Sequence, residues 1–326
     1  MHTVIVVPSQ ASSDGGSGTA YASRLVTGLR RLGHIADLLE SDAPLIQPGV
    51  VPVIDGMLLP NMAVQLDDLV ARDAVALIHH VSARAGRDMA ARERIKTTER
   101  LVLSRLRRVV VTSELVAERL REDFGVASPH VVVPGAPDVP RNSGSGDAAC
   151  RILSVGVFTP RKGHDRLLHA LAPLRDLEWT LTIAGSARRD PVHAAGLAAL
   201  IADLDLDNRV TLLPDPEQAS LNALWNHADL FALATRWEGY ATAVAEALRR
   251  GIPVVVTSGG DAGALVPLDA GAVCALDDAP TFSKCLRRAV FDRRLRTSMA
   301  EAAWHAGQAL PSWGEQTRLF DTILRS

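Results

Sequence analysis

The sequence predicts an α/β protein made of two doubly wound parallel sheets, and three observations carry that expectation. Short β-branched runs alternate with segments of helical period, the runs are apolar at every position, and one stretch of linker composition divides the chain. Strands that are apolar throughout are those buried on both faces, as in parallel sheets covered by helices. A chain of 326 residues is long enough to build two separate cores.

In order, the expected strands of the first half are 3–7, 50–54, 74–78 and 109–112, and those of the second half are 152–155, 180–184, 210–213, 230–234 and 253–257. After the first strand, Ala22, Leu25, Val26, Leu29 and Leu32 recur at helical spacing and stop at Gly33, which reads as an amphipathic helix with its C-cap. Pro140-Arg141-Asn142-Ser143-Gly144-Ser145-Gly146-Asp147 has the composition of a flexible linker, and a fresh strand follows it. The expected division is therefore a domain at 1–140, a linker at 141–150, a second domain at 151–310 and a closing helix at 311–326, which begins at Pro311-Ser312-Trp313 and carries Leu319, Phe320, Ile323 and Leu324. The two domains are expected to face a cleft lined by the loops that follow the strand C-termini.

Composition excludes several classes. Hydrophobic residues make up 47%, charged residues 22%, and the net charge is -2, which is the profile of a folded globular protein and not of a disordered chain or a strongly basic nucleic-acid binder. Cys150, Cys274 and Cys285 form no Cys-x-x-Cys pair and have no histidines at zinc-ligand spacing, so neither a disulfide framework nor a metal site is expected, and a reducing cytoplasm fits best. Met1-His2-Thr3 leads directly into an apolar strand without a basic leader, and no apolar run approaches the ~18 residues of a membrane span.

The most informative stretch runs from Trp237 to Val254 and reads as loop, helix, strand. Glu238 falls in the loop and Glu246 about one turn into the helix, so both carboxylates can face one cleft. Between them, backbone amides around Ala241, Thr242 and Ala243 would point out of a helix N-terminus, where a diphosphate is stabilised. Carboxylates accept hydrogen bonds from paired hydroxyls, which suits a sugar at one end and a ribose at the other. The plain alternative is a helix-capping Glu238 and a solvated Glu246.

A second stretch, Val155-Gly156-Val157-Phe158-Thr159-Pro160-Arg161-Lys162-Gly163-His164-Asp165, places Arg161 and Lys162 beside another helix start. Of 35 basic residues only Lys96, Lys162 and Lys284 are lysines, so a lysine at this turn is informative. A compact ammonium acts as a point charge on phosphate. A surface basic pair after a proline turn is the alternative.

Together these stretches, with Ile183-Ala184-Gly185-Ser186, Asp229-Leu230-Phe231 and Gly251-Ile252-Pro253-Val254, resemble the donor-binding domain of retaining glycosyltransferases of family 4, which have the GT-B architecture. The likeness continues more weakly through Gly15-Gly16, Ala76-Leu77-Ile78-His79-His80 and Val110-Val111-Thr112-Ser113-Glu114. The resemblance implies that Glu238 binds donor-sugar hydroxyls, Glu246 the nucleotide ribose, and Lys162, assisted by Arg161, the leaving diphosphate. Gly239, Tyr240, Ala241, Thr242, Gly185 and Gly16 would line the donor. His79, or next His80, would approach the transferred sugar and acceptor, where a near-neutral imidazole can orient or deprotonate a hydroxyl. The helix at 311–326 would cross back to brace the first domain.

Two positions depart from the family pattern. Val157 stands where relatives commonly have Arg, which removes half of the usual cationic clamp unless Arg161, Arg188 or Arg236 substitutes. Ala241-Thr242-Ala243 replaces a Gly-Leu-Pro or Gly-Met sequence, which bears on the size of the donor pocket.

Residues 84–108 hold nine basic and three acidic residues, a pattern that allows peripheral contact with the inner membrane face or an anionic acceptor, or simply a solvated helix face. Asp203-Leu204-Asp205-Leu206-Asp207 precedes a strand and reads as surface, so no divalent metal is expected. The implied partners are a nucleotide sugar and a hydroxyl acceptor, whether glycan, lipid or small molecule, with no cofactor and no nucleic acid. The alternatives are a catalytically silent nucleotide-sugar-binding protein and a hydrolase or epimerase of the same architecture.

Overall fold

The computed structural model describes residues 1–9, 17–42, 46–80 and 89–326. Contacts divide the chain into two units, Met1–Gly135 joined by Pro311–Ser326, and Ala136–Leu310.

In the first unit, strands β1 (His2–Val7), β2 (Ile35–Glu40), β3 (Val51–Asp55), β4 (Val75–Ile78), β5 (Arg108–Val111) and β6 (His130–Val131) alternate with helices α1 (Ser17–Arg31), α2 (Leu66–Ala71), α3 (Met89–Arg105) and α4 (Glu114–Phe124). Among the described residues they form one parallel sheet in the order β2-β1-β3-β4-β5-β6. In the second unit, β7 (Cys150–Val155), β8 (Trp179–Gly185), β9 (Val210–Pro214), β10 (Leu230–Leu233), β11 (Val254–Thr257) and β12 (Gly271–Cys274) alternate with α5 (His164–Leu171), α6 (Pro191–Asp203), α7 (Gln218–His227), α8 (Thr242–Arg249), α9 (Ala279–Phe291) and α10 (Arg293–Gln308). This sheet is parallel as well, in the order β12-β11-β10-β7-β8-β9. The last helix, α11 (Trp313–Arg325), begins with a capping box between Ser312 and Glu315 and buries Phe320, Ile323 and Leu324 in the core of the first unit beside Leu25 and Leu29.

Each sheet is sandwiched between two apolar layers. In the second unit, Leu167, Leu171, Trp179, Leu181 and Ile183 share one cluster, while Trp225, Phe231, Val244, Leu248 and Val254 share the other. The central strands β4, β5, β10 and β11 are buried at every residue, which is why they read as unbroken apolar runs.

Three strands depart from the sequence expectation, and each is a sheet edge. β2 has a single buried residue, Ala36, and carries Asp37 and Glu40, β6 has only two residues, and β12 begins with glycine. An edge strand meets solvent along one side, so the apolar signal that marks central strands is diluted there.

The expected linker differs too. The units part between Gly135 and Ala136, and the stretch that follows is pinned to the second unit. Asn142 N–H donates to Arg250 O at 2.8 Å, the Asn142 side-chain amide donates to Trp225 O, and Asp229 accepts from both Ser145 N–H and Ser145 Oγ. Small polar residues serve here as hydrogen-bonding groups, a use that composition alone cannot distinguish from flexibility.

Candidate active site

In the second unit the strand order reverses between β7 and β10: β8 and β9 lie to one side of β7, and β10, β11 and β12 to the other. Such a switch point leaves a crevice at the strand C-termini, because the two flanking crossovers depart in opposite directions. The loops after β7, β10 and β11 meet there.

The loop after β7 tightens into one 3-10 turn, Pro160–Lys162, and then passes through Gly163 at φ 66 into α5. Gly163 is required, since a Cβ there would collide with the Ala234 carbonyl at the end of β10. Backbone bonds lace the two loops together: Arg236 N–H donates to Arg161 O at 2.8 Å, and the Arg161 guanidinium donates to Trp237 O at 2.8 Å. The third loop joins through Glu238 N–H to Gly259 O and Asp261 N–H to Glu238 O.

This scaffold brings Lys162, Arg161 and Glu238 together. Lys162 Nζ lies 2.7 Å from Glu238 Oε1, Arg161 Nη1 lies 3.1 Å from Oε2, and Thr235 Oγ1 donates to Oε1 at 3.0 Å. The Lys162 and Glu238 side chains are 13% and 7% exposed. Burial works to raise the Glu238 pKa, but the charges of Lys162 and Arg161 and the hydrogen bonds from Lys162 and Thr235 hold it below the ordinary value. Glu238 is therefore ionised with both oxygens engaged, and the helix-cap alternative does not hold, because the N-cap of α8 is Ala241 with no side-chain bond. Thr235, which anchors the carboxylate, carries no sequence signal beyond its place at a strand end.

Glu246 is not a solvated surface group. It projects from α8 to Arg250 at 3.0 Å, and that guanidinium is itself buried, bonded to Asn226 and placed over the Trp225 ring. Of the amides at the start of α8, Thr242 N–H is taken by Tyr240 O at 3.0 Å, which corrects the expectation of a fully open set. Gly239 and Ala241 are buried, Tyr240 is half-buried and Thr242 exposed. Burial and the negative charge of Asp261 push the Tyr240 hydroxyl up to about 12.

Gly185, at the end of β8, lies so close to the Gly156 carbonyl that a Cβ would collide with it, and Gly156 N–H and Phe158 N–H donate to Ala184 O and Ser186 O. The three arginines that could compensate for Val157 differ in placement. Arg161 adjoins Lys162, Arg236 is held in a two-point pair by Asp165, and Arg188 is 81% exposed beside Asp215. A separate hollow of about 510 Å³ lined by Arg151, Thr180, Thr182 and His227 opens near the starts of β7 and β8, away from these groups.

In the first unit, His79 follows β4. Burial pushes its imidazole down to about 4, so the ring is neutral near pH 7. Gly16 lies outside the described residues, as do residues 84–88 of the basic stretch. Much of the remaining positive charge on and after α3 meets acids of the same unit: Lys96 faces Asp123, Arg105 Asp67 and Arg107 Asp73, while Arg108 is buried on Leu324 O. No helix among the described residues is long and apolar enough to cross a membrane.

Comparison with known proteins follows this geometry. The profile of the family described as "Glycosyl transferases group 1" matches residues 138–305, just over half of the chain. The chain is 30% identical over 207 residues to the GDP-mannose:cellobiosyl-diphosphopolyprenol alpha-mannosyltransferase of Xanthomonas campestris, covering 60% of this chain and 54% of that one. It thus spans about half the length of the curated relatives it matches. Among solved structures, sucrose-phosphate synthase from Thermosynechococcus elongatus superposes with a TM-score of 0.83 at 17% identity, covering 100% of this chain and 98% of that one. Anabaena HepE, solved in complex with UDP-glucose, superposes with a TM-score of 0.79 at 15% identity over 100% of both chains.

Proposed function

Because the chain belongs to the glycosyl transferases group 1 family, we propose that it transfers a sugar from a nucleoside-diphosphate sugar to an acceptor hydroxyl, with retention of configuration and without a divalent metal. The observation that carries this reading is the pair of cations, Lys162 and Arg161, held on the buried Glu238 carboxylate at the switch point of the second unit. A diphosphate leaving group needs positive charge that is already in place, because charge builds on the bridging oxygen as the glycosidic bond breaks.

In this reading Lys162 turns from Glu238 toward the diphosphate, while Arg161 and Thr235 continue to compensate the carboxylate. The anomeric carbon–oxygen bond breaks with its electron pair going to the diphosphate. The acceptor oxygen bonds to the same face of that carbon, and the acceptor proton passes to a phosphate oxygen. Lys162 and Arg161 supply the charge that a metal ion supplies elsewhere. The second unit takes the donor, through Glu246 on the ribose and the start of α8 with Gly239, Tyr240, Ala241, Thr242 and Gly185 around it. The first unit takes the acceptor at His79. Cytoplasmic operation belongs to the same reading, supported by Cys150, Cys274 and Cys285 standing unpaired.

The test is a panel of nucleotide sugars read first by thermal shift, where a ligand at 100 times its Kd adds about 2.7 kcal/mol. Product analysis with and without acceptor then separates transfer from hydrolysis, NMR of the product reads its anomeric configuration, and EDTA tests the metal. Stabilisation by a nucleotide sugar, an acceptor-dependent product with retained configuration and full activity in EDTA are expected. Binding with no product would favour a silent receptor.

A further inference from the structure

Helix α9 starts beyond the C-terminal end of β12, on the side where the candidate site lies, and runs back along the sheet to Phe291. Its last turn is therefore at the opposite end of the second unit, the end at which β12 begins. Phe282, Leu286, Ala289 and Val290 form the buried face of α9, while Lys284, Arg287, Arg288 and Phe291, spaced i, i+3, i+4 and i+7, make one exposed stripe. Asp292 then turns the chain and caps α10, whose first two residues, Arg293 and Arg294, are exposed as well. Residues 284–296 hold six basic residues against one acid, in a chain whose net charge is -2.

Two features of this corner oppose the stability of the fold. Phe291 is 75% exposed, and Leu268, in the turn that leads into β12 at the same end, is 99% exposed, so neither side chain gains from burial. Arg293 and Arg294 occupy the first turn of α10, where the helix dipole is positive and disfavours cations. Local partners account for part of the charge: Arg287 is paired with Asp176, Lys284 is attracted by Asp278, and Arg296 donates to Ala289 O and Val290 O, which fixes the angle between α9 and α10. Among the described residues, the guanidinium groups of Arg288, Arg293 and Arg294 form neither an ion pair nor a hydrogen bond. The basic helix α3 differs, because Lys96 and Arg105 meet acids of their own unit. Local rules broken together at one place mark a surface kept for a partner.

The chemistry sorts the partners. Unpaired arginines call for an anionic surface, and protruding apolar tips call for a layer that can open around them. A bilayer of anionic lipids has both, with phosphates at the level of the guanidinium groups and hydrocarbon just below. A nucleic-acid duplex offers the charge without the apolar layer. A protein would need a preformed pocket for each tip.

We propose that the α9–α10 corner docks this protein on an anionic lipid surface, with Phe291 and Leu268 entering the interfacial layer and Arg288, Arg293 and Arg294 on lipid phosphates. The contact is separate from sugar transfer, and it leaves the crevice at the other end of the sheet facing water.

The test is cosedimentation of the full-length protein with sucrose-loaded vesicles of phosphatidylglycerol and phosphatidylcholine in equal parts, and with phosphatidylcholine alone. The wild type is expected to bind the anionic vesicles and not the neutral ones, and to bind less as salt is raised. Each basic residue near an anionic surface contributes about fivefold, so Arg288→Gln/Arg294→Gln should bind about 25-fold more weakly. Leu268→Ser/Phe291→Ser should lose about tenfold or more. All four side chains are exposed, so thermal midpoints, and any stabilisation by nucleotide sugar, should match the wild type. The proposal fails if the wild type ignores anionic vesicles, or if both variants bind them as tightly as it does. It fails equally if duplex DNA or polyglutamate is bound as tightly as the vesicles, or if sedimentation equilibrium without lipid shows a dimer that Leu268→Ser/Phe291→Ser takes apart.

Discussion

Lys162 Nζ lies 2.7 Å from Glu238 Oε1, which ties the loop after β7 to the loop after β10 through one buried ion pair. The same ammonium is the group proposed to meet the leaving diphosphate. Lys162→Ala should therefore lower kcat by about 10²–10³-fold, the usual loss for a preorganised transition-state contact, with much less effect on donor KM. Steady-state kinetics at varied donor reads the split, and an unchanged kcat would remove Lys162 from the reaction.

Glu238→Ala leaves Lys162 and Arg161 facing each other without their shared anion. A stability loss of about 2–4 kcal/mol is expected, below the loss for a fully buried pair because Arg161 reaches solvent. Glu238→Gln retains hydrogen bonding and should lose less. Urea midpoints of the two variants at pH 7 provide the comparison, and equal losses would show that the charge, which both variants remove, carries the whole effect and the retained hydrogen bonds none.

At Glu246 two roles overlap, because its carboxylate sits on buried Arg250 and is also the group the transfer reading gives to the ribose. Arg250 keeps Asn226 and the Trp225 ring when Glu246 is changed, so Glu246→Gln should still fold, with a penalty of about 1–3 kcal/mol for a buried guanidinium that loses its carboxylate. If the ribose role is right, nucleoside-diphosphate affinity falls about tenfold in calorimetry, the loss expected when a charged acceptor is removed. Full affinity in a folded Gln variant would leave Glu246 a structural partner of Arg250.

Gly185→Ala drives a methyl group into the Gly156 carbonyl at the base of the loop that carries Lys162. Overpacking of this kind destabilises by about 1–3 kcal/mol, and here it must also displace the turn. Weaker donor binding than in a Gly196→Ala control, where the added Cβ meets open space, is the expected result.

Acid should weaken the fold through His79 and His164, both pushed by burial down to about 4 from 6.5. A base whose folded pKa is depressed contributes stability that is present above the unfolded value and lost as pH falls through the folded one, up to about 3 kcal/mol for each ring between pH 6.5 and 4. His164→Gln should flatten that slope in chemical denaturation. Asp55 has the opposite sign. Burial raises it to about 6, so its contribution falls as pH rises through that value, and Asp55→Asn should be more stable than wild type at pH 8 but not at pH 4.

The central strands and the ion-pair residues were legible in the sequence because burial on two faces and a lysine in an arginine-rich chain both leave a local mark. β2, β6 and β12 left none, because charged Asp37 and Glu40 interrupt the first, the second has two residues and the third opens on glycine, whereas the fourth edge, β9, still shows an apolar run from Val210 to Leu213. Asp55 was passed over although it closes the apolar run Val51-Pro52-Val53-Ile54 and precedes Gly56. An acid ending a continuous buried strand is the signal that could have found it. Its approach to His79, 3.7 Å between Oδ2 and Nε2, depends on β3 lying beside β4, which spacing along the chain does not encode. The stretch 140–147 misled for a related reason: serine, glycine and asparagine are compatible both with motion and with close bonding to a neighbour, and only the position of Asp229 and Trp225 decides between them.

The placement of α11 has a consequence for biosynthesis. Phe320, Ile323 and Leu324 fill the core built by residues from the opening strands and α1, yet they leave the ribosome only after the whole second unit has been made. The earlier-made unit must wait, with an apolar trough uncovered, until the 175 residues of Ala136–Leu310 have been added, whereas the later-made unit has all its parts in one uninterrupted span. Nascent-chain maturation is thus expected to finish in reverse order of translation, with the trough as the surface on which a holding chaperone would act.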